Sequence, residues 1–303
     1  MYILNTKMKN LVSIIVNCFN GEKYLSKALN SLLNQKYKNF EVIFIDNCST
    51  DSSSKIFKSI KDKRFNYYKT KKKISLYASR NFALRKTKGK FVAFLDVDDW
   101  WNEDYLSSRK KFFLSSKIYG FSYSNCYHYF ENRDNFKVFY KKNLPSGFIL
   151  DDLLKYYFIK ISSVIIKKEI INFHKFDSFY NIIGDYDLIL RIAEKYKGLG
   201  FQYKSLNIRI HQDNFTHNNR KMFYKEFLYW IKKQNFKKKI FRQNKQFLFQ
   251  RLEYLRLIYL LSSKKSIRLF IDIIKFPSFF LKLKLIVIYI LPKFIIKIKH
   301  RYS

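Results

Sequence analysis

The sequence predicts an α/β protein, a mainly parallel sheet flanked by helices and followed by a basic helical region. Short β-branched runs alternate with segments of helical period from Leu11 to about Leu95. Polar residues that can meet a ligand fall at the ends of those runs. The composition then changes sharply near residue 218.

The elements follow in order. "LVSIIV" (11–16) and "FEVIFID" (40–46) read as strands, and between them "EKYLSKALNSLLNQ" (22–35) spaces Tyr24, Leu25, Ala28, Leu29, Leu32 and Leu33 as a helix would. "STDSSSKIFKSI" opens with Ser and Asp suited to a helix N-cap, and "FNYYKT" (65–70) is a third strand. "LYASRNFALRKTKG" (76–89) reads as a helix closed by Gly89, and "FVAFLD" as the fourth strand. Repeated strand–helix–strand units imply parallel pairing with right-handed crossovers. Ligands in such sheets bind at the carboxyl ends of strands, where Asn17, Asp46 and Asp96 fall.

From 120 to 215 the pattern loosens. "FSYSNCYHYF" and "SSVIIKK" read as strands and "DYDLILRIAEKY" (185–196) as a helix. The expected organisation is a domain over 1–218 and a basic, aromatic-rich helical region over 219–303. Residues 221–303 hold 21 Lys+Arg against 3 Asp+Glu. The run "LIVIYILP" (285–292), flanked by Lys282, Lys284 and Lys293, is far shorter than the roughly 20 apolar residues a spanning helix needs. It suits a helix lying on an anionic membrane surface, or alternatively a helical subdomain with a solvated basic face.

The chain has 303 residues and a formal net charge of +37, which attracts polyanions without selecting among them. Its 19% aromatic content excludes disorder, and seven glycines and three prolines exclude a collagenous repeat. Cys18, Cys48 and Cys126 form no CxxC pair, so neither a disulfide framework nor a cysteine zinc site is expected. With no cleavage-like site after Lys7 and Lys9, the expected compartment is the cytoplasm.

The densest chemical signal is "FVAFLDVDDWW" (91–101), which gathers Asp96, Asp98 and Asp99 after an apolar strand. Carboxylates this close repel unless a cation lies between them. Mg2+ or Mn2+ prefers oxygen ligands and leaves coordination positions for substrate phosphates. The triplet therefore reads as a metal–diphosphate site; the alternative is capping of a helix that begins near Asn102. "FIDNCSTDSS" (44–53) is a second polar strand end, suited equally to nucleotide contact and to capping.

Three stretches, 12–53, 78–101 and "GDYDLILRIA" (184–193), resemble in order and spacing the family 2 glycosyltransferases of GT-A fold. The resemblance covers about residues 11–215. It implies that Asn17, Phe19 and Glu22 lie in the first donor-binding loop and that Asp46 and Asn47 read the base. Arg80, Asn81 and Asp96 would lie near the donor ribose and diphosphate. Asp98 would be the metal ligand with Asp99 beside it, and Asp185 the catalytic carboxylate. His211 is a further candidate near the metal, although a lone histidine is more often structural. Trp100 and Trp101 are candidates for stacking on an acceptor sugar, with at least one expected in the core.

Two residues depart from the family pattern. Asn47 stands where Asp is more frequent, which weakens the preference for uracil, and Gly184 stands where Glu usually precedes Asp185. The QxxRW motif of processive synthases is absent. The implied activity is inverting transfer of one sugar from a nucleotide-diphosphate sugar, UDP-sugar favoured, to a glycan or lipid-linked oligosaccharide in cell-surface polysaccharide biosynthesis. The cation would stabilise the leaving diphosphate and Asp185 would accept the acceptor's proton. A nucleotidyltransferase of related fold is the alternative, but "NCFNGEKYL" lacks the glycine-rich phosphate loop. A nucleic-acid-binding role would leave the carboxylate cluster unexplained, so no nucleic-acid partner is expected.

Overall fold

The computed structural model describes residues 10–263 and 265–290. The β-branched runs form β1 (Val12–Cys18), β2 (Phe40–Asp46), β3 (Phe65–Lys69) and β4 (Phe91–Phe94). Between them lie α1 (Glu22–Leu33), α2 (Ser53–Lys58) and α3 (Leu76–Leu84). Downstream come β5 (Trp100–Trp101), β6 (Phe121–Ser124), β7 (Tyr127–Phe130), β8 (Asn135–Val138) and β9 (Ile165–Lys167). Helix α4 (Gly184–Ala193), β10 (Gly198–Phe201) and β11 (Leu206–Ile210) follow.

Seven strands form one sheet in the order β10-β6-β9-β4-β1-β2-β3, in which β9 is antiparallel to both neighbours and the other pairs are parallel. β2 is buried along its whole length and β1 along nearly all of it, which explains their near-continuous apolar sequences. Helix α1 buries Leu25, Ala28, Leu29 and Leu32, the stripe its spacing predicts, and truncating one such leucine typically costs about 2–5 kcal/mol. Strand order runs 3-2-1 in one direction and 1-4 in the other. The crevice at this switch point is where α/β sheets take their ligands. A smaller sheet, β5-β11-β7-β8, accompanies the first.

Three local expectations are corrected. No helix begins near Asn102: Trp100 and Trp101 form β5, which pairs antiparallel with Asn207 and Leu206, and helical turns start only at Ser107. Capping therefore does not account for the aspartate triplet. Helix α3 ends at Leu84, before Gly89. That glycine lies against β1, where a Cβ would stand 2.6 Å from the Leu11 carbonyl oxygen and 2.7 Å from the Ser13 nitrogen. "FSYSNCYHYF" divides into β6 and β7 because Asn125 at the bend accepts the Cys126 and Tyr140 N–H groups and donates to the Tyr140 carbonyl.

The chain divides into two compact units. Among the described residues, one holds 10–129 with Asp134–Leu153 and Tyr157–Arg209; the other holds Phe130–Arg133, Leu154–Tyr156 and the residues from Ile210 onward. The second unit contains α5 (Arg220–Lys233), α6 (Lys245–Ser263), α7 (Ile267–Ile274) and α8 (Phe279–Ile290). Leu257, Leu261, Leu269, Ile273, Phe276, Leu285 and Ile288 form a core shared by α6, α7 and α8. Ser266 caps α7, its Oγ accepting the Leu269 N–H at 3.2 Å. Among the described residues no helix is long and apolar enough to cross a membrane. Lys7, Lys9 and Lys293 lie outside the described residues.

Candidate active site

The parallel register places Cys18, Asp46 and Lys69 side by side at the carboxyl edge of the sheet. Ile15 pairs with Phe94, so Asn17 and Asp96 both follow the last rungs of the switch-point pair. The Asn17 amide donates to Ser79 Oγ at 2.6 Å, while its buried Oδ1 has no hydrogen-bond partner. A buried acceptor left in this state is costly in a native site. Ligand donors would satisfy it.

The loops after β1 and β2 clasp each other. Asn20 adopts φ +52° and Cys48 φ +61°, and such non-glycine left-handed residues cluster at functional loops. The Glu22 N–H donates to Asp51 Oδ2 at 2.9 Å and the Ser52 N–H donates to Glu22 Oε2 at 2.8 Å, a reciprocal arrangement like a capping box. Gly21 N–H donates to Ser53 Oγ, and Thr50 N–H to Asn20 Oδ1. Burial pushes the Asp51 carboxyl up, but hydrogen bonds from Ser53 and from the Glu22 N–H outweigh it and hold Asp51 below its ordinary range. Glu22, expected at the donor, thus acts in the clasp. Phe19 is 42% exposed, with the Lys73 ammonium 3.5 Å from its ring centroid.

Asp46 and Asn47 are held by the protein itself. Asp46 is buried and accepts the Ser49 N–H at 2.7 Å and the Tyr67 hydroxyl at 2.6 Å. Asn47 donates to the Ile74 carbonyl and accepts the Ile74 N–H and the Thr70 hydroxyl. These bonds fix the segment after β3 over the strand ends. Asn81 grips Phe176 in the same way, donating to its carbonyl at 2.8 Å and accepting its N–H at 3.0 Å. The resemblance implies that these side chains lie near the donor; in the structure they also bond to backbone groups, with the Tyr67 and Thr70 hydroxyls added, because loops at a strand edge must satisfy their own polar groups.

Arg80 and Asp96 form the centre of the site. The Arg80 guanidinium is buried among Tyr77, Phe94 and Phe176, and its Nη2 lies 2.5 Å from Asp96 Oδ1. Burial alone would lower the Arg80 pKa, but Asp96, Tyr77 and Asp185 together raise it. Burial raises the Asp96 pKa and Asp98 adds to this, against the pull of Arg80. The Asp96 N–H donates to Ser162 Oγ.

Asp99, expected beside the metal ligand Asp98, is bonded to protein groups. It is buried; Ser162 donates to its Oδ2 at 2.8 Å and the Arg209 N–H donates to its Oδ1 at 3.1 Å. Burial, reinforced by Asp98 and Asp96, drives its pKa well above the carboxylate range. Asp99 ties the loop to the helical turn before β9 and to β11. Asp98 is half-buried, and its carbonyl accepts from Arg209 Nε at 3.1 Å. Among the described residues no three His, Cys, Asp or Glu side chains gather to hold a metal by themselves. One half-exposed carboxylate at the strand-end crevice nevertheless fits a hard divalent ion, which needs only one or two protein carboxylates when substrate phosphates supply further ligands.

Asp185 lies in the first turn of α4, and its Oδ1 accepts the Tyr186 N–H at 2.8 Å. The Tyr77 hydroxyl lies 3.4 Å from the same oxygen and donates to the Ile182 carbonyl at 2.8 Å. Tyr77 and Arg80 share one face of α3, so a single helix links Asp185 to the Arg80–Asp96 pair. His211 belongs to the second unit; its backbone N–H donates to Asn214 Oδ1 and its Nδ1 accepts the Asp213 N–H. Trp101 is in the core, stacked 3.9 Å from Tyr105, with its Nε1 donating to the Ser162 carbonyl. Trp100 is covered by Lys27 at 3.7 Å and Arg209 at 5.0 Å.

Sequence reasoning missed Tyr77, Ser162 and Arg209. Tyr77 was legible as the residue one helical turn before Arg80. Ser162, in the helical turn before β9, and Arg209, in β11, join the site from far along the chain, and no local pattern marks them.

The model of glycosyl transferase family 2 matches residues 13–165. WfaP of Escherichia coli, a UDP-Glc:alpha-D-GlcNAc-diphosphoundecaprenol beta-1,3-glucosyltransferase, is 32% identical over 216 residues, covering 70% of this chain and 82% of WfaP. The chain belongs to glycosyltransferase family 2. This family 2 glycosyltransferase is also 30% identical over 166 residues to TuaG of Bacillus subtilis, a putative teichuronic acid biosynthesis glycosyltransferase, covering 54% of this chain and 65% of TuaG. Its GT-A fold matches that of S. aureus TarS 1–349 in complex with UDP at a TM-score of 0.62 with 20% identity, covering 85% of this chain and 76% of that one. It also matches the mannosyltransferase PcManGT from Pyrobaculum calidifontis, in complex with GDP-Man and Mn2+, at a TM-score of 0.58 with 15% identity, covering 84% and 76%.

Proposed function

We propose that this family 2 glycosyltransferase moves one sugar from a nucleotide-diphosphate sugar, a UDP-sugar by preference, to a hydroxyl of a lipid-linked oligosaccharide or glycan during cell-surface polysaccharide synthesis. One observation carries this reading: α3 joins the pair of buried Arg80 and half-buried Asp96 at the switch point to Asp185 through Tyr77. The donor's base and ribose lie over Asn17 and Phe19, where the unpartnered Asn17 Oδ1 accepts from the ligand. The lipid-linked acceptor and the UDP-sugar are suggested by WfaP, whose name carries both.

Asp98 would hold a Mg2+ or Mn2+ ion, which supplies Lewis-acid stabilisation of the departing diphosphate. Asp96 aligns the ribose and diphosphate, and the ion pair with Arg80 fixes its carboxylate in place. Asp185 takes the proton of the acceptor hydroxyl as that oxygen forms a bond to the anomeric carbon, while the bond from that carbon to the diphosphate oxygen breaks. Attack from the face opposite the leaving group inverts the anomeric centre. Asp46, Asn47, Asn81 and the Glu22–Asp51 clasp hold the loops that carry these groups.

The enzyme works at the inner face of the cytoplasmic membrane, peripherally attached through the basic helices of 219–303. Calorimetric titration of UDP into wild type and Asp98→Asn, with and without Mn2+, tests the donor site. Binding that needs both Asp98 and Mn2+ supports it; UDP binding indifferent to both overturns the metal assignment.

A further inference from the structure

The second unit exposes apolar side chains in an ordered way. In α7, Leu269, Ile273 and the following Phe276 enter the core shared with α6, while Ile267, Ile271 and Ile274 form a stripe on the solvent side. In α8, Leu285 and Ile288 enter the same core, while Phe280, Leu283, Val287 and Ile290 recur at helical spacing on the exposed side. Exposure reaches 79% at Ile267 and 81% at Phe280. The two helices are packed together through Phe270 and Tyr289, whose rings lie 5.0 Å apart, and the Tyr289 hydroxyl donates to the Ser266 carbonyl. Since both turn their core stripes to α6, their outer stripes lie together on the side away from it. Contiguous exposed apolar surface of this kind marks an interaction site.

Charge selects the occupant. Arg268, Lys275, Lys282 and Lys284 border the stripes, and burial lowers the Lys284 pKa. The three carboxylates among residues 221–303 are Glu226, Glu253 and Asp272. Glu226 is buried, and Arg256 pairs with Glu253 at 2.7 Å and with Asp272 at 2.6 Å. Arg256 thus offsets one of the two carboxylates it bridges and the third is removed from the surface, so little acidic charge opposes an anionic partner. Apolar stripes rimmed by lysine stems match the headgroup–acyl boundary of a bilayer, where each basic residue adds about 1 kcal/mol on an anionic surface.

We infer that α7 and α8 form a hairpin that inserts its outer stripes into the interface of an anionic lipid bilayer. This rests on the proposed peripheral attachment and names the surface that makes it. Neither helix spans the membrane; both lie in its plane, with the α6-facing core intact.

The test is flotation of the full chain with phosphatidylcholine vesicles, with and without phosphatidylglycerol. Wild type, Ile271→Glu/Phe280→Glu, and Lys275→Gln/Lys282→Gln are compared, with far-ultraviolet circular dichroism checking that each retains its helix content. Wild type is expected to float with the anionic vesicles, and the glutamate variant to bind about tenfold or more weakly through lost apolar burial and added repulsion. If wild type fails to float, peripheral attachment itself fails. If wild type floats and the folded glutamate variant floats equally well, attachment stands and the hairpin assignment is overturned. A concentration-dependent dimer that the glutamate variant abolishes, without vesicle binding, would assign the surface to a second copy of the chain and also overturn the inference.

Discussion

The ring of Tyr77 occupies the space beside Gly184 in which a side chain would lie. A Cβ at Gly184 would stand 2.5 Å from two carbons of that ring. Gly184 is where the family usually carries Glu, and the same tyrosine reaches Asp185 through its hydroxyl. Tyr77 thus both fills the space beside Gly184 and reaches Asp185, the proposed catalytic carboxylate.

Gly184→Ala should therefore displace Tyr77 and cost about 1–3 kcal/mol, as overpacking of a dense site does. Urea denaturation measures the loss, and a double-mutant cycle with Tyr77→Leu tests the pairing. The two substitutions are expected to be markedly non-additive, because the smaller side chain at 77 opens the space that the added methyl group needs. Additive losses would show that Tyr77 does not constrain residue 184.

Replacing Arg80 by Met should leave Asp96 without its cation. Removing one member of a buried pair typically costs about 3–5 kcal/mol, and partial solvent contact at Asp96 reduces the expectation to about 2 kcal/mol. The same variant should lose nucleotide affinity, since Asp96 is no longer fixed. Denaturation midpoints and UDP titration on one preparation separate the two effects.

Asp185→Asn should lower kcat by about 10²–10⁴-fold, the range for a positioned general base, with UDP affinity unchanged. Tyr77→Phe removes only the hydroxyl beside Asp185 and should lower kcat modestly while shifting the pH profile of transfer. A matched loss of UDP binding in Asp185→Asn would place this carboxylate in donor binding instead.

His174 gives the protein a sensitivity to acid. Its Nε2 is buried with no hydrogen-bond partner, and burial, aided by Arg191 and Lys195, lowers its pKa below the ordinary histidine value. The unfolded chain therefore takes up this proton more readily than the folded one. The contribution is full above the ordinary value of about 6.5 and diminishes as pH falls below it, until the folded form also protonates. Melting temperatures at pH 7.5 and 5.5 should differ less in His174→Gln than in wild type.

The Glu22–Asp51 clasp should matter to the donor site without touching the chemistry. Glu22→Ala removes the acceptor of the Ser52 N–H and should cost about 1 kcal/mol, as loss of a cap does. A raised KM for donor at nearly unchanged kcat is the expected signature in steady-state kinetics.

The sequence by itself determined the order of β1 to β4 with their helices, and the positions of Asn17, Asp46 and Asp96 at strand ends. These follow from patterns of two and 3.6 residues, which burial on a sheet or along a helix imposes locally. Asp98 and Asp185, the proposed metal ligand and base, were named from family motifs of contiguous residues.

Tertiary structure decided which polar residues stay available to a ligand. Asp46, Asn47, Asn81 and Asp99 each bond to backbone or hydroxyl groups brought in from other segments, with Ser49 N–H adding a local bond to Asp46, whereas Asn17 Oδ1 is left buried without a partner. A side chain's hydrogen-bonding capacity is filled by whatever the fold brings beside it. For Asp99 that is Ser162 and Arg209, 63 and 110 residues away along the chain. Long-range pairing of this kind has no periodic signature, so only the folded chain separates the groups that hold the site from those that act in it.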